Sequence, residues 1–174
     1  MNAAMHPSQE RHRARSGAAV LPRTFHADTF TLGLRDGWED ESVYLLEGPR
    51  EHDLQHNITV NVDPDAPDVP LLDYADLQIQ MQQETLKGCR LLMKRHTQLD
   101  EGVPAYRAIF VWSPTEDRRL YQDLLIVLHE EVGYRLTASF TKKTRKTLGP
   151  SVERAMRTFE PLAHRKSQFA IRQS

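Results

Sequence analysis

From Cys89 to Lys142 four runs with strand character follow one another almost without a break. They are CRLLMKRHTQ (89–98), PAYRAIFVWS (104–113), RRLYQDLLIVLHE (118–130) and GYRLTASFTK (133–142). Only LDEGV, PTED and EEV separate them. Loops this short cannot carry a crossover, so the runs must fold as antiparallel hairpins. Upstream, TFHADTFTLGL (24–34) supplies one or two short strands, VYLLEG (43–48) a further one and HNITVNV (56–62) another. The prolines of DPDAPDVP then exclude regular structure.

Two segments have helical character. LLDYADLQIQMQQETLKG (71–88) is long, poor in β-branched residues and closes on Gly88, a residue suited to a helix end. GPSVERAMRTF (149–159) has Pro150 near its start and an apolar stripe of Val152, Ala155, Met156 and Phe159. The expected fold is α+β: an antiparallel β-sheet of about six to seven strands with two main helices. A single domain is expected over 24–162, between a polar, basic N-terminal tail (1–23), read as disordered, and a C-terminal tail (163–174).

The totals remove several classes of function. Lys plus Arg number 23 against 24 Asp plus Glu, a balance that argues against general nucleic-acid binding. One cysteine, Cys89, allows no internal disulfide and fits a reducing compartment. No stretch approaches the roughly 20 apolar residues that span a bilayer, and AAVLP is too short for a secretion signal, so the expectation is a cytoplasmic chain without stable membrane insertion. The eight histidines are scattered without ligand spacing, and no phosphate-binding or nucleophile motif occurs. Asp63, Asp65 and Asp68 lack the glycine and terminal glutamate of a calcium loop and read as a solvated acidic loop. Cys89 reads as a packed thiol, and Lys142, Lys143, Arg145 and Lys146 as a solvated basic turn. No enzyme, metal or cofactor is expected.

Two features point to binding. On the wheel of the first helix, Asp73, Asp76, Glu84 and Lys87 share a narrow arc that includes Gln80. Two apolar stripes flank the rest: Leu72, Ala75, Ile79 and Leu86 on one side, Tyr74, Leu77 and Met81 on the other, with Gln78, Gln82 and Thr85 between them. One sheet needs one stripe, so the second calls for a partner or for another element of the same chain. Residues 120–128 load both faces of a strand, with Leu124, Ile126 and Leu128 against Leu125 and Val127, as does Val43-Tyr44-Leu45-Leu46. Helices can cover one face; the other needs a dimer partner or an apolar ligand. By contrast His56 to Val62 alternates, with Ile58, Val60 and Val62 inward and Asn57, Thr59 and Asn61 outward.

FTLGLRDGWEDESV (30–43) resembles the opening signature of the DcrB-like family with the PsbP/Mog-type fold, in which F-T-L-P is followed by G-W-x-D-x-S. Phe30, Thr31, Leu32, Gly37, Trp38, Asp40 and Ser42 match it. Leu72, Asp73, Tyr74, Ala75, Leu77 and Gln78 resemble the family's first-helix motif, and Gly88 with Leu91-Leu92 the G-F-x-L-L after it. Gly102, Pro104-Ala105, Phe110 and Trp112 resemble the G-x-P-A hairpin and its aromatic strand, and Leu136 to Ser139 the last strand. The chain departs from the pattern at Gly33-Leu34 in place of the proline, at Val62-Asp63 in place of Arg-Asp, and at Tyr44 in place of an asparagine.

The resemblance implies a structural role for the fingerprint residues Trp38, Asp40, Tyr74, Gly102 and Trp112. With no lipoprotein signal in view, the chain looks most like the cytoplasmic Eag chaperones of type VI secretion effectors. These imply a homodimer whose apolar groove shields N-terminal transmembrane helices of a PAAR- or Rhs-type effector before export. The groove residues expected here are Val43, Leu45, Gln78, Gln82, Leu86, Leu120, Gln122 and Leu124; ordinary core or dimer packing is the alternative for each. Two other readings are a lipid- or small-molecule-binding protein of the same fold, and a soluble Ran-binding-Mog-like interaction module acting through Glu39-Asp40-Glu41.

Overall fold

The structure, a computed structural model, describes residues 23–26, 31–34 and 42–162. The chain divides into two compact units, residues 1–38 and 39–174. Within the first, β1 (Arg23–His26) and β2 (Thr31–Leu34) form an antiparallel hairpin with Phe25 opposite Leu32. The stretch expected to give one or two strands gives two. Trp38 and Asp40 lie outside the described residues.

The second unit is built on one antiparallel sheet. Its strands are β3 (Val43–Glu51), β4 (Leu54–Asp63), β5 (Arg90–Gln98), β6 (Pro104–Thr115), β7 (Arg118–His129) and β8 (Val132–Phe140), in the spatial order β3-β4-β8-β7-β6-β5. Hairpins make β5 to β8 a meander, as their short loops require. Helix α1 (Leu71–Thr85) links β4 to β5, and a short α2 (Thr144–Thr147) precedes α3 (Gly149–Arg157). This is the α+β architecture expected, with six strands and two main helices. The single turn of α2 was not legible, because four residues of TRKT carry no period. Within α3, Val152 and Met156 turn inward, whereas Ala155 faces outward rather than joining the stripe.

The two faces of the sheet have separate cores. On one, α3 packs through Val152 and Met156 onto Leu125, Val127, Tyr134, Leu136 and Ala138. On the other, α1 packs through Tyr74, Ala75 and Ile79 onto Ala108, Phe110, Leu124 and Ile126. Strand β7 is therefore covered on both faces by its own chain, with residues 122–127 all buried. Both layers come from within the chain, and this central strand needs no outside partner.

Beneath α3 lies a buried ion pair that the sequence did not announce. Arg107 of β6 donates from Nε to Asp123 Oδ1 of β7 at 2.8 Å and also bonds Glu153 of α3. The hydrogen bond to Asp123 chiefly holds the Arg107 pKa above its ordinary value. The pair ties α3 to the sheet at a point where no apolar contact could accommodate the charges.

Backbone turns explain two glycines. Gly102 has φ +81° in the β5–β6 turn, where its N–H donates to Leu99 O, a conformation costly for any residue with a Cβ. At Gly133 a Cβ would sit 1.9 Å from the Tyr74 hydroxyl oxygen, so α1 reaches β8 only because the side chain is absent. The β3–β4 turn is less comfortable: His52 and Asp53 both hold positive φ, the type I′ pattern that favours Asn-Gly.

Candidate functional site

Helix α1 sits over β6 and β7, on the β5 side of the sheet's midline. Its two flanks are fixed by polar contacts. On one flank Asp76 pairs with Lys94 of the edge strand β5. On the other the Tyr74 hydroxyl donates to Asp63 Oδ2 of β4 at 3.0 Å. Burial, followed by the charge of Asp63, pushes the Tyr74 pKa well above its ordinary value. Leu77 and Met81 stand on the Tyr74 flank by the helical repeat, and both are exposed (47% and 45%).

Beyond that flank the same sheet face continues over β8, β4 and β3. Register fixes its rows. Leu45 lies opposite Thr59, Thr59 opposite Thr137, and Thr137 opposite Leu124. The next row runs Val43, Asn61, Arg135, Ile126; on the other side Glu47 lies opposite Asn57 and Ser139 opposite Gln122. Among the described residues of the second unit no element crosses this face between α1 and β3. The result is a trough with Leu77 and Met81 on one wall and Val43 and Leu45 (52% and 56% exposed) on the far side. Three strand spacings make it about 14 Å across, enough for one α-helix of roughly 10–12 Å.

Of the eight residues expected to line a groove, Val43, Leu45, Leu120, Gln122 and Leu124 lie on this sheet face, Gln78 and Gln82 on α1, and Leu86 just past its end, at different depths. Val43 and Leu45 form the open edge. Gln82 donates to Gln122, a bond that joins the helix to β7 near one end of the trough. Gln78 is buried to 6% exposure between α1 and the sheet. Leu86 is half-buried just after the helix, whose end at Thr85 comes three residues before Gly88. Leu124 lies beneath α1 at 1% exposure, and Leu120, on the same strand and opposite Trp112, is buried to 6%; both pack as core rather than presenting surface. For Leu124 the reason is the position of α1, which roofs β7 there.

Strand β3 reverses the expectation of two covered faces. Val43, Tyr44, Leu45 and Leu46 are each more than half exposed, on both faces of an edge strand. The trough floor is also more polar than an apolar groove, because the outward-facing Asn57, Thr59 and Asn61 of β4 supply its middle, together with Thr137 and Ser139 of β8. These floor residues, and the wall residues Leu77 and Met81, were missed. The signal was present in the alternation of β4 and in the second stripe of the helix wheel.

Of the fingerprint residues, Tyr74 is the pin between α1 and the sheet and Gly102 the turn residue. Trp112 of β6 lies opposite Leu120, its indole N–H buried without a partner among the described residues. Cys89 packs at the edge of the α1 core, and burial pushes its thiol pKa up, as suits an inert packed thiol. No group of His, Cys, Asp and Glu among the described residues could hold a metal ion. No helix among them is long and apolar enough to cross a membrane.

The DcrB family profile matches residues 29–158. A crystal structure of a Pseudomonas aeruginosa protein of unknown function, described as a putative regulator, superposes with a TM-score of 0.64 at 19% identity; the match covers 83% of this chain and 100% of that one. The solution structure of cyanobacterial PsbP from Synechocystis matches at TM-score 0.48 and 13% identity, over 84% of this chain and 96% of that one. LpqN of Mycobacterium tuberculosis, involved in cell envelope biogenesis, matches at TM-score 0.44 and 14% identity, over 66% and 77%. No curated protein matches the chain.

Proposed function

For this chain, which belongs to the DcrB family, we propose the function of a cytoplasmic, non-enzymatic chaperone that binds apolar helices of a client protein in the trough beside α1. The client class we propose is the N-terminal transmembrane segment of a type VI secretion effector of PAAR or Rhs type, the reading suggested by the resemblance to Eag chaperones. The observation that carries it is the trough itself, one helix wide, with exposed Leu77 and Met81 facing exposed Val43 and Leu45. A segment built for lipid exposes about 20 apolar residues in water and aggregates unless they are covered. The apolar walls would remove side chains from water at roughly 25 cal/mol per Å². The floor suits the helix backbone and small polar side chains, with Thr59, Thr137 and Ser139 as hydrogen-bonding groups and Gln78 and Gln82 along the helix side. No cofactor is part of this function, and the working form is a homodimer.

The test is a tagged pull-down from the native host with mass spectrometry, done in parallel with a folded Val43→Asp/Leu45→Asp variant. The expected result is one large protein with N-terminal apolar helices, recovered by the native chain and lost by the variant. Recovery of a soluble partner indifferent to the two substitutions would sink the proposal.

A further inference from the structure

We infer that the client helix carries a carboxylate side chain, Asp or Glu, that pairs with Arg135 on the floor of the trough. The inference rests on the proposed client site and names the chemistry which that site selects. Arg135 lies on β8, and its neighbours along the strand fix its side. Tyr134 and Leu136 belong to the core under α3, so Arg135, like Thr137, stands on the opposite face, with α1. Register puts it between Asn61 of β4 and Ile126 of β7, and Ile126 already packs beneath α1. Arg135 therefore stands where the floor meets the α1 wall. Burial and Asp63 raise the Tyr74 pKa, and the positive charge of Arg135 works against them, as its place beside that wall requires.

The chain supplies this cation with no counter-ion. Arg135 is half-buried and forms no ion pair among the described residues. Register brings one carboxylate into its neighbourhood, that of Asp63 opposite Gly133, and Asp63 already accepts the Tyr74 hydroxyl. Arg107, on the other face of the sheet, has the opposite arrangement. It is more deeply buried, and the chain gives it both Asp123 and Glu153. One arginine of the sheet is thus paired twice from within, and the other is left to be paired from outside.

While the trough is open, water serves Arg135. Covering the floor changes the balance. A helix lying in the trough takes the guanidinium out of water, and a buried cation without a partner opposes binding. A wholly apolar helix meets that penalty in full. A helix with one carboxylate facing the floor replaces it with a hydrogen-bonded ion pair, and the guanidinium fork matches a carboxylate with two parallel donors. The same residue therefore favours an acidic helix and disfavours an apolar one. Asn61 and Thr137, beside Arg135 on the same face, add further polar atoms around the acid. An acidic residue also makes a segment reluctant to enter a bilayer, so the trough favours the segments that a membrane accepts least readily.

The experiment uses the full chain and three lysine-flanked, fluorescently labelled helical peptides of about 20 residues. One is Ala and Leu throughout, the second has a central Glu, and the third has a central Gln. The uniform flanks let each peptide slide until its central residue reaches Arg135. Anisotropy should show the Glu peptide binding the native chain roughly tenfold more tightly than the Gln peptide, which has nearly the same shape and no charge. Arg135→Gln should abolish that preference. Arg154→Gln, which removes the same charge from exposed α3 on the other side of the sheet, should leave it whole. The comparison on the native chain needs no variant, so it decides the matter even where Arg135→Gln fails to fold. Equal binding of the Glu and Gln peptides, a preference that survives Arg135→Gln, or one lost equally in Arg154→Gln would overturn the carboxylate and leave the client site standing. Binding of none of the three peptides would overturn the client site and the inference together.

Discussion

Strands β7 and β3 carry the same sequence signature and meet opposite fates. Leu124 to Leu128 and Val43 to Leu46 both load each face with apolar side chains. In β7 Leu124 to Val127 are buried and Leu128 half-buried, because α1 closes one face and α3 the other. In β3 they stand more than half exposed at the sheet edge. The pattern within a strand therefore does not record whether the chain itself covers the two faces. Where it does, the residues contribute to stability; where it does not, they stand as an exposed apolar surface, the one on which the proposed client site draws.

That contrast can be broken at several points. Leu124→Ala empties a fully buried site under α1 and should cost about 3 kcal/mol, within the usual 2–5 for such truncations, measured by urea denaturation. Arg107→Met leaves Asp123 buried without its partner and should cost roughly 3 kcal/mol at pH 7, by the same assay. Gly133→Ala forces Tyr74 off β8 and should cost about 2 kcal/mol, with α1 amides losing hydrogen-exchange protection first.

The Tyr74 pin also has a pH signature. Its pKa is raised in the folded state from an ordinary 10.0, so the unfolded chain gives up this proton first as alkali is added. The stability it contributes is whole below pH 10 and declines above it. Tyr74→Phe should flatten that decline in a series of melts from pH 8 to 11. At the other end of the scale, Val43→Asp/Leu45→Asp should change stability by only about 0.5 kcal/mol, because both side chains are already in water.

The comparison also explains what was legible in the sequence. Short loops between strand runs dictated the meander from β5 to β8, and the alternation from Asn57 to Asn61 gave the correct faces of β4. The stripe of Leu77 and Met81 was visible on the helix wheel, but its role depended on which strands α1 covers, and that is set by tertiary contacts such as Tyr74 with Asp63 and Gly133. Leu124 was placed on the right face yet falls under the helix, and Leu120 is buried too, since parity gives a side and not a depth. The Arg107 network joins residues far apart in the chain, for which periodicity offers no signal.

The most direct test of the account is titration of a lysine-flanked, fluorescently labelled peptide of about 20 Ala and Leu residues, a stand-in for a transmembrane helix. Binding is followed by anisotropy, for the native chain and for folded Val43→Asp/Leu45→Asp. The account predicts saturable binding to the native chain, weakened at least tenfold by the two aspartates, a loss of about 1.4 kcal/mol or more. Equal binding to both proteins, or none to the native chain, would contradict it.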